Sequence, residues 1–222
     1  MLSNLDCIIF PDRCEVIEII PSQRYFYPIF KNASSSIQRE ATKSNWKIKI
    51  NEQIRKLDRI DIVLRDPTER LISGINTFVQ FTIRDNPELD RETVIWFAEN
   101  YLYLNRHYAT QFMWIVNLAR YMSPTTTMHF LSMDDVGSIT SLHKPPFDVK
   151  PIDYELFNRL SILKHCEMYQ RLDQVIVNHC IGQDFTFAQL LDLLRNKDSD
   201  AYNWVINRSQ RIIEPIYALS KT

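Results

Sequence analysis

Glycine is scarce in this 222-residue chain: Gly74, Gly137 and Gly182 are all there is. Scattered so far apart, they can write neither the G-x-G-x-x-G dinucleotide fingerprint nor the Walker A loop, so both are excluded. The four cysteines, Cys7, Cys14, Cys166 and Cys180, form no C-x-x-C pair and match no zinc spacing. No apolar run reaches bilayer length; Phe112 to Val116 is among the longest. No signal peptide or N-terminal anchor is legible, so reduced thiols and a cytoplasmic location are expected. Charge of one sign is also missing, with 26 basic and 27 acidic side chains and a formal net charge of −1. That balance gives no general attraction to nucleic acid or anionic membrane, so any anion site must be local.

What is present is a chain of ordinary globular composition, 45% apolar and 24% charged, without repeats or low-complexity tracts. The run Tyr25 to Phe30 is aromatic and apolar, bounded by Pro21-Ser22 and by Asn32-Ala33-Ser34. It predicts a buried strand of a parallel sheet, after short strands in the residues up to about Ile20. Helix formers follow from Ser34 to Lys43, with Ile37 and Ala41 on one face. Ile60 to Leu64 is a second strand, running into Asp66 as N-cap, Pro67 at the first helical position and Glu69 at the capping-box position.

Beyond it, Asp90 is expected to cap an amphipathic helix burying Val94, Phe97, Ala98, Tyr101 and Leu102. A further helix carries Phe112, Ile115, Val116 and Ala119, and Thr126 to Leu131 is a third strand. Lys144 to Pro151 suggests a surface loop. Helices are predicted from Leu156 to about His179, from Phe187 to Leu194, and from about Ala201 to Ala218, the last divided or kinked at Pro215. Alternating strands and helices predict an α/β fold, a single domain over residues 1–222 with a central parallel sheet flanked by helices and a helical C-terminal part.

Two turns have the makings of anion sites. In Phe30-Lys31-Asn32-Ala33-Ser34-Ser35-Ser36-Ile37 a strand ends, a lysine follows, and serines open a helix. The first N–H groups of a helix lack internal partners and the macrodipole adds positive potential there. With Lys31 these suit a phosphate or phosphosulfate. The bland alternatives are a serine that merely caps a helix, and a glycosylation sequon at Asn32-Ala33-Ser34. In the second turn Arg65 ends a strand and Ser73 lies eight residues on. A guanidinium fork and a hydroxyl could there meet one phosphate. The alternative is a surface pairing of Arg65 and Arg70 with Asp66 or Glu69.

Together the turns resemble those of the sulfotransferases that use 3′-phosphoadenosine-5′-phosphosulfate (PAPS). Lys31 to Ile37 is similar to their 5′-phosphosulfate loop. Arg65 to Ser73 is similar to their 3′-phosphate motif, in the Arg-Asp-Pro-x-x-Arg-x-x-Ser form of the carbohydrate sulfotransferases. His107 to Gln111 resembles the family's His-x-x-x-Gln segment, with Thr110 where proline is usual, and His129 to Val136 its next strand and acidic turn. The resemblance spans roughly residues 25 to 140 and leaves the C-terminal third without a motif.

The resemblance implies a P-loop-like sulfotransferase fold and transfer of a sulfuryl group from PAPS to an acceptor hydroxyl, a carbohydrate by family preference. Adenosine 3′,5′-bisphosphate would leave, and no metal would be needed. Lys31 would stabilise the leaving phosphate. Asn32, Ala33, Ser34, Ser35 and Ser36 would hold the 5′-phosphosulfate, and Arg65 and Ser73 the 3′-phosphate. His107 is the candidate general base, with Glu40 and Glu52 as alternatives. His107 and Gln111 would bind the acceptor if their segment is helical. His129, His143, His165 and His179 are expected to be structural. A nucleotide-binding kinase-like protein, or an inactive protein that binds the bisphosphate, are the other classes that use such turns.

Overall fold

The computed structural model describes residues 14–20, 22–29, 32–85, 87–90, 92–93, 96, 109–139, 158–159 and 164–207. Six strands form one sheet: β1 (Glu15–Ile19), β2 (Arg24–Tyr27), β3 (Lys47–Ile50), β4 (Arg59–Val63), β5 (Thr127–Leu131) and β6 (Asp184–Phe185). Helices α1 (Ser34–Lys43), α2 (Pro67–Asp85), α3 (Gln111–Ala119), α4 (Val136–Ile139), α5 (Lys164–Cys180) and α6 (Phe187–Lys197) alternate with them. Residues 199–207 are helical as well.

The sheet order is β3-β1-β2-β4-β5-β6. Strands β2, β4 and β5 are parallel, with Tyr27 opposite Ile62 and Ile62 opposite Phe130. The outer pairings of β1 with β2, β1 with β3 and β5 with β6 are antiparallel. The sheet is therefore mixed, which corrects the expectation of a parallel one. The cause is connection length. Only residues 20–23 separate β1 from β2, and a tight turn can join antiparallel neighbours alone, because a parallel crossover needs a dozen residues or more. Gln23 supplies a left-handed backbone (φ 50°) in that turn.

Alternation along the strands splits the core between two faces. Val16, Tyr27, Ile60, Ile62, Met128 and Phe130 point to one side and pack with α3, α5 and α6. Ile17, Ile19, Phe26, Val63 and Leu131 point to the other, where α1 supplies Ile37 and Ala41. Flanking helices on both faces are as the sequence predicts. Helix α3 is buried on every side, from Gln111 to Ala119. It lies between the strands and the α5 residues Met168, Leu172 and Ile176, and a helix so enclosed can be apolar all round. Truncating its Phe112, which is wholly buried, would cost about 3–5 kcal/mol.

Several local expectations are met residue by residue. Helix α1 spans Ser34 to Lys43 as read from the sequence. Asp66 accepts from the Glu69 amide at 2.9 Å, and its carbonyl takes the first helical bond from the Arg70 amide at 3.0 Å. Asp90 accepts from the Thr93 amide at 2.7 Å, which draws its carboxyl below the usual range. Helix α5 is fixed to the end of α6 by Arg171, whose Nε meets Asp198 Oδ2 at 2.7 Å and whose Nη2 meets Oδ1 at 2.5 Å. The Lys144–Pro151 loop and the Pro215 kink lie outside the described residues. Among the described residues, no helix is long and apolar enough to cross a membrane.

Candidate functional site

Because β2 and β4 are parallel neighbours, the segments that leave their C-terminal ends emerge side by side. After β2, the Ile29 amide bonds Tyr27 O at 3.0 Å and the Asn32 amide bonds Ile29 O at 3.1 Å. The chain turns sharply and enters α1. The N-cap is Ala33, held in the left-handed region at φ 60°, ψ 11°, and no side chain caps the helix. The first turn of α1 contains no acidic residue, although the macrodipole would favour one there. Ser34 is buried, and the backbone of Ser35 and Ser36 continues the first turn. Serine is therefore not the cap here. Alanine takes the glycine-like position that a chain so poor in glycine would otherwise leave unfilled.

After β4, Arg65 leads into Asp66 and α2. Its Nε donates to Glu69 Oε2 at 3.2 Å, with the glutamate end of the pair 65% exposed. An exposed pair of this kind is worth about 0–1 kcal/mol, so it can be exchanged for a stronger anion at small cost. Ser73 lies two turns along α2, with its carbonyl accepting from Thr77 Oγ1 at 2.9 Å.

The two turns are joined by a buried amide. Asn32 Nδ2 donates to Val63 O at 2.8 Å and to Gln111 Oε1 at 2.6 Å. The same Gln111 Oε1 accepts from the Arg65 amide at 2.9 Å, while Gln111 Nε2 donates to Arg65 O at 2.9 Å. Asn32 is 1% exposed and Gln111 is 0% exposed. Buried and bonded in this way, the Asn32 carboxamide is turned away from any glycosylating enzyme.

Gln111 opens α3, and its position depends on a residue far along the chain. Asp173 of α5 accepts from the Gln111 amide through Oδ2 and from the Phe112 amide through Oδ1, both at 2.8 Å. Burial pushes the Asp173 carboxyl up to about 6, while Arg70 and these N–H groups pull the other way. Arg70 itself is buried, at 2% exposure, and sits on α2 between the second turn and α5. Helix α3 is also tied to β2, where Asn117 Nδ2 donates to the Tyr27 hydroxyl at 3.1 Å. Nothing in the sequence marks Asp173 as part of the site. The one available signal is a carboxylate beside Leu172 on the buried face of an amphipathic helix.

Thr110 is the N-cap of α3, with φ −62°, ψ 161° and its hydroxyl accepting from the Met113 amide. That φ is the angle proline would hold, and threonine adds a capping oxygen. The helix therefore begins at Gln111, and Ala109 and Thr110 are not helical. The helical continuity that would put His107 and Gln111 on one face is absent at those two residues.

Lys31, His107 and His143 lie outside the described residues. Of the other candidate bases, Glu40 accepts from Ser44 Oγ at 3.3 Å on α1. Glu52 pairs with Arg55 at 3.5 Å and is 78% exposed. His129 Nδ1 lies 3.1 Å from Asp184 Oδ1, across the β5–β6 pairing. His179 is exposed near the end of α5, and His165 falls in its first turn. The sequence-predicted residues thus divide. Asn32, Ala33, Ser34, Arg65 and Gln111 are brought together at one end of the sheet, while Glu40 bonds Ser44 and Glu52 pairs with Arg55. No family model, no curated protein and no solved structure matches this chain.

Proposed function

We propose that this protein is a PAPS-dependent sulfotransferase with a P-loop-like fold, acting on an acceptor hydroxyl, for which carbohydrate is the first class to examine. The observation that carries the reading is the physical union of the two motifs. Asn32 of the lysine–serine turn bonds Val63 O at the end of β4 at 2.8 Å, and it shares Gln111 Oε1 with the Arg65 amide of the Arg-Asp-Pro turn, at 2.6 and 2.9 Å. A nucleotide phosphorylated at both 3′ and 5′ positions needs two anion sites on one surface, and these turns offer them.

In the proposed reaction the acceptor oxygen attacks sulfur while the bond from sulfur to the bridging phosphate oxygen breaks in line. The acceptor proton passes to a base, and adenosine 3′,5′-bisphosphate departs with the bonding pair. Positioning and charge stabilisation supply most of the rate in such transfers. The left-handed Ala33 followed by three first-turn amides makes a concave set of N–H donors of the kind that binds anions. With no carboxylate in that turn, the potential there stays positive. These groups would hold the 5′-phosphosulfate, with Lys31 on the bridging oxygen. Arg65 and Ser73 would hold the 3′-phosphate. His107 is the proposed base.

The test is calorimetric titration with adenosine 3′,5′-bisphosphate, 5′-AMP and ATP–Mg²⁺. Preference for the bisphosphate is expected. In Arg65→Ala it should fall by about 10- to 150-fold, the equivalent of one charged hydrogen bond of about 1.5–3 kcal/mol. No binding, or preference for ATP–Mg²⁺, would defeat the reading in favour of a kinase-like one. Binding of the bisphosphate without turnover of PAPS would mark an inactive relative.

A further inference from the structure

We infer that Gln111 and Asp173 are positioning residues for the donor nucleotide, fixing the separation of the two anion turns so that both phosphates are gripped at once. The inference rests on the sulfotransferase reading and assigns that site a support which the sequence motifs do not contain.

Consecutive hydrogen bonds connect Asp173 to both turns. Asp173 uses both carboxylate oxygens on the first two amides of α3. There the macrodipole and the nearby Arg70 supply opposing positive charge. That clamp fixes where α3 starts, and hence where the Gln111 carboxamide sits. The carboxamide then holds the second turn by both the N–H and the carbonyl of Arg65, and the first turn through Asn32. Asn32 in turn reaches back to Val63 at the end of β4. A shift of either turn relative to the other would strand buried polar atoms of Gln111 or Asn32 without partners. The low exposure of both side chains means that water cannot replace them. The Gln111 carboxamide, assigned by resemblance to the acceptor, is thereby engaged on the donor side, behind the two turns.

A nucleotide held at two points gains over either point alone only if the spacing of the sites matches the ligand. Loosening the spacing should therefore erase that gain and spare each separate site. Adenosine 3′,5′-bisphosphate, 5′-AMP and 3′-AMP would be titrated into wild type, Gln111→Ala and Asp173→Asn, with circular dichroism to verify folding. Wild type should bind the bisphosphate at least ~100-fold more tightly than either monophosphate. In both variants that advantage should shrink by ~10-fold or more, with each monophosphate held within about 3-fold of its wild-type affinity. Asp173→Asn retains the side-chain shape and carries the test alone if Gln111→Ala does not fold. Equal weakening of all three ligands would refute positioning, because general loosening acts on each turn separately. Unchanged affinities would refute it too. Failure of wild type to prefer the bisphosphate would instead bring down the functional reading itself.

Discussion

Replacing Ala33 by glycine should make this protein more stable, against the usual effect of that substitution inside a helix. Ala33 sits at φ 60°, ψ 11°, where an L-residue with a Cβ pays about 1–2 kcal/mol that glycine does not. Glycine also frees the unfolded chain, which takes back about 0.4–1 kcal/mol. The difference leaves a net gain of about 0.5–1 kcal/mol, or about 1–4 °C in melting temperature for a chain of this size. Urea denaturation and thermal melting would measure it. Ala41→Gly, buried in the last turn of the same helix, is the control and should lose about 1 kcal/mol. A loss of 1 kcal/mol or more in Ala33→Gly would mean that residue 33 is not left-handed, and the anion-binding turn built on it would fall. A positive result would show that this chain tolerates a left-handed turn without glycine by accepting the strain at one alanine.

Two further outcomes can be stated. His107→Ala should lower turnover of PAPS by about 10²–10⁴-fold while leaving bisphosphate affinity nearly unchanged; wild-type turnover would remove His107 from the mechanism. Asp173 gives the protein a pH dependence of definite sign. Its carboxyl lies at about 6 against an ordinary 3.8, so between those values the folded chain holds a proton that the unfolded chain has released. Stability therefore falls as pH rises through that window. From pH 7 to pH 4, wild type should gain up to about 3 kcal/mol relative to Asp173→Asn, at about 1.36 kcal/mol per pH unit of displacement. Parallel stability profiles for the two proteins would contradict the assignment.

The strand–turn–helix from Arg59 to Asp85 was legible because three signals agreed there: a β-branched run, an aspartate cap and a proline at the first helical position. Helix α1 was legible to its last residue from a run of helix formers with Ile37 and Ala41 on one face. Strand β3 escaped notice although Lys47-Ile48-Lys49-Ile50 alternates with period 2, because so short a strand has little else to mark it. Strand β6 has two residues, too few for any pattern. The antiparallel rim is set by the four-residue connection between β1 and β2, residues 20–23, which hydrophobic patterning does not report. At the site, the strand ends and helix starts mark the two turns, and the want of glycine says only that other small residues must form them; the left-handed φ of Ala33 is visible in the structure alone. The Asp173 clamp could not be read, since 62 residues separate it from the Gln111 amide it holds. No local rule links a carboxylate on one helix to the start of another.

The outer strand β3 governs how the molecule meets its own copies. Among the described residues β3 ends the sheet, and its Ile48 and Ile50 are 52% and 38% exposed; an edge so furnished invites a second strand to add. Lys47 stands in water on that edge, Lys49 is drawn inward to Glu18 at 3.1 Å, and the Ile50 amide is already taken by Gln53 Oε1 at 3.1 Å. An incoming strand would have to dehydrate an ammonium group and displace a glutamine to complete its ladder. Charge at a sheet edge is how proteins resist that kind of association. The solubility of this protein in a concentrated solution thus depends on a few residues remote from the nucleotide turns, and those residues can change without touching the chemistry.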